Sequence, residues 1–129
     1  MQALVQDGLI STQHIRHGGI FKRKDGSAKA KSNDFDLSLE EIELIDQAFA
    51  KPVEKRDVPL TILDVPYQPV RLDDTAIYAK HPGKGGLIVA RTLIFYIVAV
   101  YDEGMYPAIA VEAVERLGKS QVVVGLEMR

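Results

Sequence analysis

Hydrophobic and polar positions change period several times along the chain, and each change marks an element. In residues 1–10 the apolar Met1, Leu4, Val5 and Leu9 fall close to helical spacing, which predicts a short amphipathic helix before Ser11 and Thr12. Two short runs follow, 19–23 (GIFKR) and 28–32 (AKAKS), on either side of KDGS. Asp-Gly supplies the positive φ that a tight turn demands, so these runs read as a hairpin. Ser38 and Glu41 then have capping-box spacing, with Leu37 and Ile42 placed as a hydrophobic staple. The helix LEEIELIDQAFA behind them buries Ile42, Ile45 and Phe49 until Pro52 stops it, and residues 51–59 read as a polar, proline-bounded loop.

From Leu60 onward the period is that of strands. LTIL, PYQPVR, AIYAK, GGLIVAR and LIFYIVAV are separated by turn residues in the manner of an antiparallel meander. Two prolines within PYQPV mark an edge or irregular strand. A helix after VYDEGMYP closes the pattern, followed by the tail KSQVVVGLEMR, to which the spacing assigns no element. The class is α+β: one domain over residues 1–129, a meander sheet covered by terminal helices.

Composition narrows the function. The chain has 129 residues, and its net charge of -2 lacks the basic excess of a nucleic-acid binder. With 0 Cys there is neither a disulfide framework nor a thiolate metal site, and a reducing, cytoplasmic compartment is the expectation. The longest apolar run, 93–101, falls far short of the roughly 20 residues of a membrane-spanning helix. The N-terminal MQALVQDGLI lacks the basic and long apolar regions of a secretory signal.

Candidate chemistry is sparse. Asp102 and Glu103, beside Tyr101 and Tyr106, could form an acid/base group, but carboxylates before a helix more often satisfy its first amides, and Pro107 suits a first turn. Gly83, Lys84, Gly85 and Gly86 lie between two strands without the Ser or Thr of a phosphate loop, and read as a hairpin turn. His14, His17 and His81 have no ligand spacing, so neither metal nor cofactor is implied. Lys22, Arg23, Lys24, Lys29 and Lys31 cluster in the first hairpin as a solvated surface. On a helical wheel of about 100° per residue, Ile109, Ala110, Ala113, Val114 and Leu117 form the core face of the last helix. Val111 lies outside it beside Glu112, Glu115 and Lys119, with Arg116 at the boundary. With Met105 and Tyr106, Val111 is placed as the apolar centre of a protein-binding patch.

The chain resembles the profilins. The resemblance rests on Asp25, Gly26 and Ser27 after the first strand, Phe35 before LSLEEI, Tyr67, RxDDxxIY from Arg71 to Tyr78, the glycines Gly85 and Gly86, and VYDEGM followed by VERL. The last pair is close to the plant and protist pattern. The resemblance implies a sandwich in which N- and C-terminal helices pack on one face of an antiparallel sheet, and a non-enzymatic activity: binding monomeric actin and controlling its assembly and nucleotide exchange. Carried over by position, the actin surface contains Gln68, Pro69, Arg71, Arg91, Met105, Tyr106, Ala108, Val111, Glu112, Glu115 and Arg116. Phosphoinositide binding falls to Arg71, Lys80, Lys84 and Arg91. The resemblance also implies a monomer associated with the cytoskeleton.

Three departures mark a divergent member, of a kind consistent with an archaeal relative of eukaryotes. The aromatic positions that cradle proline-rich ligands hold Met1, Leu4 and Lys29, and there are 0 Trp, so polyproline binding is expected to be weak, altered or absent. Glu112 stands where vertebrate profilins carry a basic residue, a reversal that changes electrostatic steering. The loop 51–59 is also longer than in compact profilins. A roadblock or longin-type scaffold for a small GTPase is the alternative, since it too combines a central sheet with flanking helices.

Overall fold

A computed structural model describes residues 2–127, with the side chains of all but Gln121 and Val122. Helix α1 (Gln2–Gly8) and a 3-10 turn (Ile10–Thr12) precede strands β1 (His17–Lys22) and β2 (Ala28–Lys31). Helices α2 (Leu39–Ala50) and α3 (Pro52–Lys55) follow. Strands β3 (Leu60–Ile62), β4 (Val65–Leu72), β5 (Ala76–His81), β6 (Gly85–Arg91) and β7 (Phe95–Tyr101) lead to α4 (Pro107–Gly118) and α5 (Gln121–Glu127). One antiparallel sheet runs in the order β2-β1-β7-β6-β5-β4-β3. The meander thus continues through β7 into the first hairpin.

Strand β7 is buried along its whole length. Its side chains alternate between two cores. Phe95, Ile97, Ala99 and Tyr101 meet Val5 of α1, Leu9 just after it, and Ala110, Ala113, Val114 and Leu117 of α4. Tyr96, Val98 and Val100 join Phe35 and Ile42, Ile45, Ala48 and Phe49 of α2. Each of the Val, Leu, Ile and Phe side chains among them contributes about 1.5–3 kcal/mol when fully buried. The terminal helices therefore share one face of the sheet and α2 covers the other. On the α2 face Phe49 stacks on Tyr96 at 5.5 Å, and the Tyr96 phenol donates to Asp46. Burial first, then that carboxylate, pushes the Tyr96 phenol up to about 12.

The turns follow local chemistry. Gly26 takes φ 76° in the first hairpin, and the Asp25 carboxylate accepts from the Ser27 N–H at 2.9 Å. At α2 the Ser38 hydroxyl accepts from Glu41 N–H (3.1 Å), while Glu41 accepts from Ser38 N–H (2.9 Å). Leu37 and Ile42 both pack in the α2-side core.

Several expectations change. Pro52 ends α2 but also opens α3, because its fixed φ and missing N–H suit a first helical turn; the loop 51–59 therefore begins with helix. The first helix stops at Gly8, and Met1 lies outside the described residues. The tail forms α5. Strand β4 is an edge only beyond Tyr67, because β3 pairs with its first residues.

The second oxygen of Glu41 accepts from the Leu63 N–H (2.7 Å) and so ties α2 to the β3–β4 turn. Leu63 and Asp64 there take φ 51° and 65°, the left-handed pair that a two-residue hairpin turn requires and that Asn-Gly fills with less strain. Leu63→Asn/Asp64→Gly is expected to stabilise the fold by about 1 kcal/mol, read as a higher urea midpoint at unchanged slope. A lower midpoint would show that apolar contacts of Leu63 outweigh backbone strain.

Candidate functional site

Strand β7 runs into α4 through a turn that the segment before β1 holds from outside. Gly104, at φ 96°, makes the bend, and Met105 N–H donates to the Asp102 carbonyl (3.1 Å). Tyr106 is the N-cap residue, without a side-chain cap, and Pro107 begins the helix. The Asp102 carboxylate is taken by Arg16 at 2.8 Å. Asp102 and Glu103 therefore do not cap α4, contrary to the sequence-based expectation, because the Gly104 turn separates them from its first amides. His14 Nδ1 instead accepts from the Tyr106 N–H (3.0 Å), and the two rings lie 5.1 Å apart. Tyr106 is 65% exposed.

The two borders of the α4 wheel differ from expectation. Ala110, Ala113, Val114 and Leu117 are buried, but Ile109 is 40% exposed, while Val111 is half-buried against the α4-side core with Met105. Both lie at the margin of the apolar arc, where the neighbouring element rather than the period decides burial. Ala108, Glu112, Glu115 and Arg116 are exposed, and Arg116 pairs with Glu112.

Beside α4, strands β4 and β5 present a polar network built by a β-bulge. Pro69 pairs with Ala79 and Arg71 with Tyr78, so Val70 is the extra residue. The bulge turns Arg71 to the opposite face from Pro69. Arg71 Nε donates to Asp73 (2.7 Å) and Nη1 to the Tyr78 hydroxyl (3.1 Å), which donates to Glu115 at 2.5 Å. The Arg71 guanidinium stands 4.9 Å from the Tyr78 ring centroid. The Thr75 N–H above all, then Arg71, hold the Asp73 carboxyl well below the usual carboxylate range. Burial, then the bond to Glu115, pushes the Tyr78 phenol up to about 12.

The eleven carried-over positions are therefore divided. Arg71, Ala108, Val111, Glu112 and Glu115 gather along α4 and its β4–β5 flank, with Met105 and Tyr106 at the head of the helix. Gln68 stands opposite Lys80 and donates to the Arg56 carbonyl (3.1 Å). Pro69 and Arg91 lie on the α2 face. Pro69 lines a small apolar pocket of about 60 Å³ with Leu44, Ala48, Val58 and Leu60, and the Arg91 guanidinium stands 5.2 Å over the Phe49 ring. Although the Arg91 guanidinium turns to the α2 face, Arg91 and Arg71 line one open cleft with Glu115 and Lys119, about 520 Å³ in volume. Tyr78 and Asp73 are the members that position-by-position reasoning omitted, although both stand in RxDDxxIY.

The remaining sequence candidates have structural roles. Lys84 N–H donates to the His81 carbonyl (3.0 Å) in the β5–β6 turn. A Cβ on Gly86 would lie 2.2 Å from the Tyr101 hydroxyl, so ring packing requires the glycine there. Arg23 donates to the carbonyls of Thr92 (3.0 Å) and Leu93 (2.8 Å), and Lys31 pairs with Asp36 at 3.0 Å. His17 stacks on Phe35, remote in role from His14 on Tyr106. Among the described residues no group of three His, Asp or Glu could hold a metal ion, and no helix is long and apolar enough to cross a membrane. Leu4 is half-buried in the α1–α4 core and Lys29 is exposed on β2. The groove between α1 and α4, lined by Leu4, Gly8, Ala113, Arg116 and Leu117 among others, has no aromatic wall among the described residues.

Comparison with known proteins agrees with this architecture. The Profilin family model matches residues 1–126. Profilin-4 of Bos taurus is 35% identical over 119 residues, covering 92% of each chain. The structure of Acanthamoeba castellanii profilin IA superposes with a TM-score of 0.85 at 27% identity, covering 96% of this chain and 97% of that one. LokiProfilin1, in its complex with rabbit actin, shares the fold at a TM-score of 0.78 and 12% identity, over 95% of this chain and 93% of that one. A Roadblock/LC7 domain from Streptomyces avermitillis reaches a TM-score of 0.55 at 14% identity, a likeness of fold alone, so the scaffold alternative is not favoured. The chain belongs to the profilin family, whose members are actin-binding regulators and not enzymes.

Proposed function

We propose that this profilin binds monomeric actin through the outer side of α4 and the adjoining β4–β5 flank, and so controls the supply of monomers to filaments. The observation that carries this reading is the gathering of Arg71, Glu112 and Glu115, with Tyr106 at the helix head, along one exposed surface of a profilin fold. LokiProfilin1, which has the same fold, forms a complex with rabbit actin. Tyr106 supplies a rigid aromatic anchor, the residue class that most often carries binding energy at protein interfaces. The charges around it set orientation and steering, and Glu112, already paired with Arg116, presents a neutralised pair rather than a bare carboxylate. Blocking one end of the monomer is a stoichiometric action; control of nucleotide exchange on actin belongs to the same reading. The protein acts as a monomer in the cytoplasm, associated with the cytoskeleton.

Pro69, on the far face, stands outside the core of this surface, while Arg91 borders it across the cleft shared with Arg71 and Glu115. Polyproline binding is weak, altered or absent in this reading, because the α1–α4 groove offers Leu4, alanine and glycine where stacking needs rings. Phosphoinositide contact falls to Lys80 and Lys84 beside the β5–β6 turn and to Arg71 and Arg91, which line a common cleft.

The parent protein is expected to co-elute with monomeric actin at micromolar concentration and to slow its assembly. Tyr106→Ala should weaken binding about tenfold with an unchanged melting temperature. Val111→Arg is a poorer probe, since that side chain is half-buried. Absence of both co-elution and slowed assembly would refute actin binding, and a Tyr106→Ala variant that binds like the parent would refute the assigned surface. Titration with decaproline should leave amide resonances unmoved at millimolar peptide. Shifts centred on Leu4 and Leu117 would show that the groove still reads proline-rich ligands.

A further inference from the structure

Deepening the actin-binding reading, on which it rests, we infer that Tyr78 is a positioning residue that presents Arg71 and Glu115 to the partner as one preorganised pair. The observations come from three elements. The bulge at Val70 brings Arg71 of β4 over Tyr78 of β5, and the Tyr78 hydroxyl reaches Glu115 of α4. Hydrogen-bond direction runs one way: guanidinium to phenol to carboxylate, each bond polarising the next. Of the three groups only the phenol can both accept and donate, so neither a phenylalanine nor a direct Arg71–Glu115 contact reproduces the arrangement.

The network leaves specific valences open. Arg71 spends Nε on Asp73 and Nη1 on Tyr78, while its Nη2 makes no hydrogen bond among the described residues, and its side chain is 47% exposed. Glu115 spends Oε1 on Tyr78, and its Oε2 is likewise unbonded among the described residues. The surface therefore offers a fixed donor and a fixed acceptor across the seam between β4 and α4. The complementary partner surface carries a carboxylate or carbonyl facing Arg71 and a basic group or N–H donor facing Glu115.

Folding alone gives little reason for such a network. Exposed ion pairs contribute little to stability. Immobilising two long side chains before encounter, however, removes an ordering cost that binding would otherwise incur. The half-buried phenol, held protonated far above neutral pH, keeps the relay intact over the physiological range.

The test is a titration of labelled monomeric actin with the parent, Tyr78→Phe, Arg71→Ala/Glu115→Ala, and the triple variant that combines all three. Tyr78→Phe retains the ring and is expected to melt within a few degrees of the parent yet bind about fivefold to tenfold more weakly, chiefly through faster dissociation. In the Arg71→Ala/Glu115→Ala background the same change should add less than twofold, because the groups through which Tyr78 acts are gone. The Arg71 Nε–H resonance, sharp in the parent, should broaden in Tyr78→Phe. Binding of Tyr78→Phe within twofold of a parent that does bind overturns this inference alone. So does an equal loss in both backgrounds, which would mean direct ring contact or a loosened fold. A parent that does not bind actin overturns the inference together with the functional reading beneath it.

Discussion

Strand β7 must be buried on both faces at once, and the rest of the molecule is arranged around that requirement. An alternating strand with apolar residues at every position cannot face water on either side. One set, Phe95, Ile97, Ala99 and Tyr101, is covered by α1 and α4 together; the other, Tyr96, Val98 and Val100, is covered by α2. Its neighbours β1 and β6 satisfy both backbone edges. Because β7 leads directly into α4, its fixed position also sets the turn and helix that together carry seven of the eleven candidate binding residues. The His14 bond to the Tyr106 amide and the Arg16–Asp102 ion pair hold that start from the opposite side.

The second determinant is a single inserted residue. Without the bulge at Val70, Arg71 would share a face with Pro69 and point toward α2. With it, Arg71 meets Tyr78 and, through Tyr78, Glu115. A local irregularity in one strand thus joins sheet and helix into a common surface. Bulges are often found where a side chain must be re-aimed for binding. The acidic turn before α4, which first suggests catalysis, contributes by packing and ion pairing instead.

Local signals in the sequence proved dependable where their physics is local. The Ser38–Glu41 capping box, the Asp25–Gly26 turn and the five strands of the meander depend on neighbours within a few residues, and each is present. Readings that depended on distant partners fared differently. Asp102 looked like a helix cap because Arg16 lies far away in sequence. Ile109 and Val111 changed places at the margins of the helical wheel, since their burial depends on which side a neighbouring element covers. Pro69 was grouped with Arg71 by alignment, but the bulge at Val70 turns their side chains to opposite faces. Tyr78 was visible as part of a motif, yet its role required the helix and the two strands together.

Amide hydrogen exchange, followed across the whole chain with and without saturating monomeric actin, tests the proposed surface most directly. Protection is expected in β4 and β5 from Gln68 to Lys80 and in the stretch from Met105 to Arg116, with α1, β2 and α2 unchanged. Protection confined to α1, β2 or α2, with the β4–β5 flank and α4 unaffected, would contradict it.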